Sequence, residues 1–190
     1  VMDGLYIRAV ASDLEVTGDG RTVTGLLAPY DTPAKVDDGF GPYWEMFERG
    51  CFSRALRGNA SYLRLQLEHN GHWVGRGSVW RDSPQGLAAD MRLDDTEAGR
   101  EAAFKIRDGQ TPGLSVAYRL SEDPQGNITR TVEGKRVTVR KKIKALHHVA
   151  LCQFPAYASA QVEAVRSAPP EGPPDRLAYW QDWTVRMRRT

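Results

Sequence analysis

Turn-forming residues recur so often along this chain that few stretches between them are long enough for a helix, and most suit a strand. Leu5-Tyr6-Ile7-Arg8-Ala9-Val10 alternates as a strand does, and Thr22 to Leu27 follows the turn Gly18-Asp19-Gly20, which predicts an early hairpin. Asp31-Thr32-Pro33 and Asp37-Asp38-Gly39 mark a long loop. Tyr62 to Leu67 alternates apolar and polar residues, a half-buried strand that delivers His69 at its end. Further strands are predicted over Gly77–Trp80 and Gly86–Leu93, split by the turn Asp82-Ser83-Pro84-Gln85. Three more follow over Gly113–Leu120, over Ile128–Arg140 with a turn at Glu133-Gly134, and over Ile143–Phe154, where Pro155 stops the last. Only two helices fit before Pro155. A short one spans Arg49–Leu56 and ends at Gly58; the core helix runs from Asp95-Thr96-Glu97 to Arg107. Ala102, Ala103 and Ile106 share one face of the core helix, and Asp108-Gly109 closes it.

Residues 1–166 therefore read as one domain, whose hydrophobic fraction of 41% is enough for a core. From Ser167 the character changes. Ala168-Pro169-Pro170-Glu171-Gly172-Pro173-Pro174 is a stiff linker, residues 167–174. Residues 175–190 are predicted to form an amphipathic docking helix with Leu177, Trp180, Trp183 and Met187 on one stripe. No apolar run approaches the ~20 residues of a membrane span. Val1-Met2-Asp3-Gly4 lacks the pattern of a secretory signal, so a cytosolic setting is expected. Cys51 and Cys152 make no disulfide framework and read as reduced core residues. A net charge of +2 implies no nucleic-acid or membrane partner. The basic group Arg130, Lys135, Arg136, Arg140, Lys141, Lys142 and Lys144 surrounds a hairpin turn without interleaved aromatics, and reads as a solvated face.

Chemistry is to be sought among four histidines, His69, His72, His147 and His148, and a serine. A serine hydroxyl attacks only beside a base, and that base needs a third group to orient it. His69, at a strand end before Asn70-Gly71, is presented from a turn; Ser115 lies in a strand just after the core helix. Two rivals use the same region. The four histidines supply enough nitrogen for a metal, although no carboxylate or thiolate joins them at ligand spacing. Cys152 is a nucleophile by type, but it stands in the apolar run Val149-Ala150-Leu151-Cys152, where a thiol resists ionisation.

Six segments stand in a particular order: Gly25-Leu26-Leu27-Ala28-Pro29-Tyr30-Asp31; Glu48-Arg49-Gly50-Cys51-Phe52; Leu67-Glu68-His69-Asn70 with Gly75; Asp82-Ser83-Pro84-Gln85-Gly86-Leu87; Gly113-Leu114-Ser115-Val116-Ala117-Tyr118; and Leu146-His147-His148-Val149-Ala150-Leu151, followed by Pro155-Ala156 and Ala160. In this order, from Gly25 to Val162, they resemble the prohead maturation proteases of tailed bacteriophages, relatives of the herpesvirus assemblin proteases. The resemblance puts Ser115 at the nucleophile position and His69 at the base position. For the third member the phage pattern usually has Glu where this chain has His148. A neutral imidazole there can still accept the base's N–H, as a second histidine does in the herpesvirus relatives. His147 is the alternative, although strand alternation points it to the other face.

The resemblance implies an α+β fold: a small closed or nearly closed β-barrel of mixed strands with a few surrounding helices, herpesvirus-protease-like. It implies a serine endopeptidase with a Ser-His-His triad and no metal or organic cofactor. Its substrates would be the scaffolding segment of the major capsid protein and the protease itself, with dimerisation expected. It would work in the host cytoplasm inside the assembling prohead, away from membranes, with nucleic acid not among its partners. The basic residues would then face an acidic scaffold segment. Two other readings stay open: a protease-like scaffold that has lost activity, favoured by His148 in place of Glu, and a histidine-rich metal-binding protein.

Overall fold

The computed structural model describes residues 5–153, apart from residues 12, 13, 18, 61, 62, 70 and 112. The stop at Pro155, the proline-rich linker and the docking helix lie outside the described residues. Among the described residues, twelve strands and two α-helices occur in the order β1 (Leu5–Ala11), β2 (Glu15–Thr17), β3 (Thr22–Pro29), β4 (Ala34–Asp37), β5 (Pro42–Phe47), α1 (Ser53–Asn59), β6 (Arg64–Leu67), β7 (His72–Asp82), β8 (Gly86–Leu93), α2 (Glu97–Arg107), β9 (Gly113–Leu120), β10 (Asn127–Val132), β11 (Lys135–Arg140) and β12 (Ile143–Cys152). Eight of the strands form one sheet in the order β1-β9-β12-β6-β7-β8-β3-β2; the other four form a second, β10-β11-β5-β4. Pairing is mixed: β6 with β12 and β5 with β11 run parallel, and the remaining neighbours antiparallel.

The eight-stranded sheet curls without closing. Its two ends, β1 and β2, are not paired to each other, yet β3 comes back close to β1 and β9. Of the expected closed or nearly closed barrel of mixed strands, the mixed strands and few helices are found, and closure is corrected to a curled half-barrel with a second sheet. Its concave side holds the core, with Leu27, Phe52, Leu65, Leu87, Met91, Leu114, Tyr118 and Leu151 fully buried. Helix α1 packs on β12, and α2 covers β2, β7 and β8. The α2 start follows from its sequence: Thr96 caps it by accepting a bond from the Gly99 N–H at 3.1 Å, and Gly99, Ala102, Ala103 and Ile106 form its buried face.

Two expectations fail on pairing. The early hairpin joins β2 to β3, with Thr17 opposite Thr22, while β1 pairs instead with β9, Leu5 opposite Arg119 and Ala9 opposite Ser115. Alternation specifies which face of β1 is buried but not which strand lies beside it. The expected loop over residues 31–39 contains β4, which turns into β5 around Asp37. Its carboxylate accepts from the Gly39 and Gly41 N–H groups at 2.8 and 3.2 Å, so the acidic cluster shapes a hairpin turn.

A buried charge cluster joins the two sheets. Glu45 of β5 accepts from Arg8 of β1 and from Arg140 Nε of β11, the latter at 2.5 Å. Asp38 holds Arg8 at 2.8 and 3.0 Å, and Tyr43 Oη bridges Asp38 and Arg140 at 2.5 and 3.0 Å. Two guanidinium groups thus meet two carboxylates, and the carboxyl of Asp38 is held below its ordinary range by Arg8 and Tyr43 against the opposing effect of burial. The basic group is accordingly not one solvated face. Arg140 is buried, Lys142 pairs with Asp123 at 2.5 Å, Lys144 pairs with Glu122, and Arg130 meets Glu48 at 3.3 Å.

Candidate active site

Strand β9 divides its side chains between two environments. Leu114, Val116 and Tyr118 enter the core, while Ser115 and Ala117 face the opposite side of the sheet. Across that second face, Ser115 stands opposite Ala9 of β1 and Ala150 of β12. Ala9, Ala150 and Cys152 form a small buried cluster there. The serine is therefore surrounded by small side chains. It has no exposed surface, and its Oγ makes no hydrogen bond with any described residue.

His148 lies on the same face, opposite Ala117, two register pairs along from Ser115. Diagonal neighbours of this kind sit with Cα atoms ~7–8 Å apart. The strand reaches this arrangement through a bulge. Leu146 opposes Tyr118 and His148 opposes Ala117, so one extra residue, His147, is inserted between adjacent partners. Leu146 and Val149 both remain in the core, which leaves His147 and His148 on one side. The expectation that alternation sends His147 to the other face is corrected by this bulge. The two rings touch, with Nδ1 atoms 2.8 Å apart.

His69 arrives from β6. Parallel pairing sets Leu67 beside Leu151, so the chain leaving β6 emerges next to the end of β12. Glu68 and His69 both adopt left-handed backbone, φ 54° and 55°, a costly conformation for two side-chain-bearing residues in a row. Glu68 anchors it. Its N–H donates to Leu151 O at 2.9 Å, and its carboxylate accepts from the Gln153 N–H at 2.5 Å. Gln66 steadies the far side by accepting from the Gly71 N–H at 3.3 Å. The turn thrusts the imidazole back over β12, where His69 Nδ1 lies 2.6 Å from His148 Nε2. The other nitrogen, His69 Nε2, is buried and bonded to no described residue.

Burial lowers the pKa of His69 below its ordinary value. His148 falls further, to about 4, through burial first and then the neighbouring rings of His69 and His147. Both imidazoles are thus neutral near neutral pH, one able to donate at Nδ1 and the other to accept at Nε2. The Cys152 thiol is pushed up to about 12, by burial and then by Glu68. A thiol so raised is a poor nucleophile. Among the described residues no group of three or more His, Cys, Asp or Glu side chains is set to hold a metal ion. The histidine nitrogens meet pairwise as hydrogen-bonding partners, without converging on a shared point.

Of the sequence-predicted residues, His69 and His148 are brought into contact, and Ser115 is placed on their face of the sheet without a bond to either. The Glu68 anchor was not anticipated. Its partner is a backbone group 85 residues away, and no local pattern signals such a contact.

The curled mixed sheet, which carries Ser115 and the imidazole pair on one face, is similar in fold to a solved viral protease. The solved structure of the bacteriophage T4 capsid assembly protease matches this fold with a TM-score of 0.50 at 12% identity, covering 77% of this chain and 96% of that one. The prohead protease of Enterobacteria phage HK97 is 24% identical over 160 residues, which is 82% of this chain. The chain spans 66% of that relative's length. The sequence pattern of the caudovirus prohead serine proteases matches residues 9–171. The chain belongs to that family.

Proposed function

We propose that the chain is a serine endopeptidase of phage prohead maturation, with Ser115 as nucleophile, His69 as general base and His148 as the group that orients His69. The observation that carries this reading is the 2.6 Å contact of His69 Nδ1 with His148 Nε2, which leaves His69 Nε2 without a hydrogen-bond partner among the described residues. His69 Nδ1–H donates to His148, and Nε2 is left with the lone pair that a base requires. Ser115 Oγ attacks the scissile carbonyl carbon while its proton passes to His69 Nε2. The imidazolium then gives that proton to the leaving amine, and an acyl-enzyme remains. Water repeats the cycle in reverse roles and frees Ser115. His148 keeps a neutral acceptor on Nδ1–H while His69 is charged, doing with an imidazole what a carboxylate does elsewhere, with less charge stabilisation.

The proposed substrates are the scaffolding segment of a major capsid protein and the protease itself, met inside the assembling prohead in the host cytoplasm. The family, together with relatives that are a prohead protease and a capsid assembly protease, supports this setting. A herpesvirus-protease-like plan and a dimer belong to the same proposal, which rests for both on the Ser-His-His set. A second reading, a protease-like assembly protein without activity, is favoured by one observation: Ser115 is fully buried and its Oγ is unbonded. Co-expression with the capsid precursor separates the two. Wild-type chain is expected to shorten the precursor, and Ser115→Ala to lose cleavage by several powers of ten while staying folded. No cleavage by the wild type favours the inactive scaffold; cleavage that survives Ser115→Ala excludes Ser115 as nucleophile.

A further inference from the structure

The bulge in β12 places a third imidazole at the far end of the pair, and its contact has a chemical sense. A neutral imidazole carries one proton on one of two nitrogens, and its partners decide which. If His69 Nε2 is to accept the serine proton, His69 must carry its own on Nδ1 and donate it to His148 Nε2, 2.6 Å away. His148, neutral because its pKa is near 4, then holds its proton on Nδ1. That atom faces His147 Nδ1 at 2.8 Å. An acceptor there stabilises the needed tautomer. Without one, His148 is free to carry its proton on Nε2, where it confronts the Nδ1–H of His69. His69 relieves the clash by moving its own proton to Nε2, and the base is lost.

We propose that His147 is a positioning residue whose Nδ1 accepts from His148 Nδ1–H and fixes the tautomers of His148 and His69 so that His69 Nε2 stays basic. This rests on the reading of His69 as general base. It also gives the bulge a purpose, since a regular strand would have turned His147 away from the site.

The test uses the full chain with two substitutions. His147→Ala removes the acceptor, whereas His147→Asn offers a carbonyl oxygen close to where Nδ1 stood. His147 is exposed, so both variants are expected to fold. Peptidase assays on a precursor-derived peptide are expected to show kcat down about ten- to a hundredfold in the alanine variant with KM little changed, as for other outer partners of functional histidines, and largely recovered in the asparagine variant. Independently of activity, long-range ¹H–¹⁵N spectra report the imidazole tautomers. Wild type and His147→Asn are expected to show His69 protonated at Nδ1, and His147→Ala a mixture or the Nε2–H form. Unchanged kcat with an unchanged His69 tautomer in His147→Ala overturns the proposal, as does an equal loss in both variants. The spectra remain decisive for His147 even if the wild-type chain cleaves no precursor, because they read protons and not turnover.

Discussion

His69 has one nitrogen committed to His148 and one left open, and its protonation state decides whether the site is armed. Burial holds its pKa below the ordinary histidine value of 6.5. The acid limb of the kcat/KM profile is therefore expected to fall below pH 6.5, because the base stays neutral in more acidic solution than a free histidine does. An acid limb at or above 6.5 contradicts this. The same burial bears on stability. In the unfolded chain His148 binds its proton near 6.5, but in the folded chain only near 4. Between these values the unfolded state holds more protons, so stability falls as pH drops through that window and levels off below it. Thermal unfolding followed from pH 7 to pH 4 reads this directly; a Tm that does not fall between pH 6.5 and 4.5 is the opposing result.

At the scale of elements, the site depends on β6 being held in register between β12 and β7. Gly75 of β7 stands opposite Leu65 where the β6–β7 ladder shifts register, and a Cβ added there would lie 2.2 Å from the Arg92 carbonyl oxygen of β8. The neighbour is backbone and cannot swing aside. Gly75→Ala is expected to destabilise the fold by about 1–3 kcal/mol, visible as a lower Tm, and to weaken activity because β6 carries His69. An unchanged Tm would show that β7 and β8 can separate at this point. Where local sequence set the elements, they were legible: α2 with its Thr96 cap, β8 and β9 fall where their patterns predict. Ser115 and His69 stand out as candidates only through the order of motifs around them, since a serine in a strand and a histidine at a strand end carry little signal alone. The His147 bulge, the Glu68 anchor and the pairing of β1 with β9 were not legible, because each is decided by residues distant in sequence. The β4–β5 hairpin was hidden for another reason: its turn residues also suit a loop.

For the whole molecule, the question is what fixes the second sheet to the curled one. Glu45 is almost fully buried and receives both Arg8 and Arg140, with the Tyr118 hydroxyl 3.4 Å away. Its removal strands two buried cations. Glu45→Ala is expected to cost about 3–5 kcal/mol, a fall in Tm of roughly 6–20 °C for a chain of this size. A Tm within a degree or two of wild type would show that Asp38 alone neutralises both arginines. Tyr118 also links this cluster to β9, the strand that bears Ser115, so the sheet junction and the proposed nucleophile share one element. The central claim is that Ser115 is a nucleophile activated by His69, and covalent labelling tests it most directly. Wild-type protein treated with a fluorophosphonate and mapped by peptide mass spectrometry is expected to carry a single adduct on Ser115, sharply reduced in His69→Ala. Absence of an adduct on Ser115 in protein that cleaves its precursor, or equal labelling with and without His69, would contradict the account.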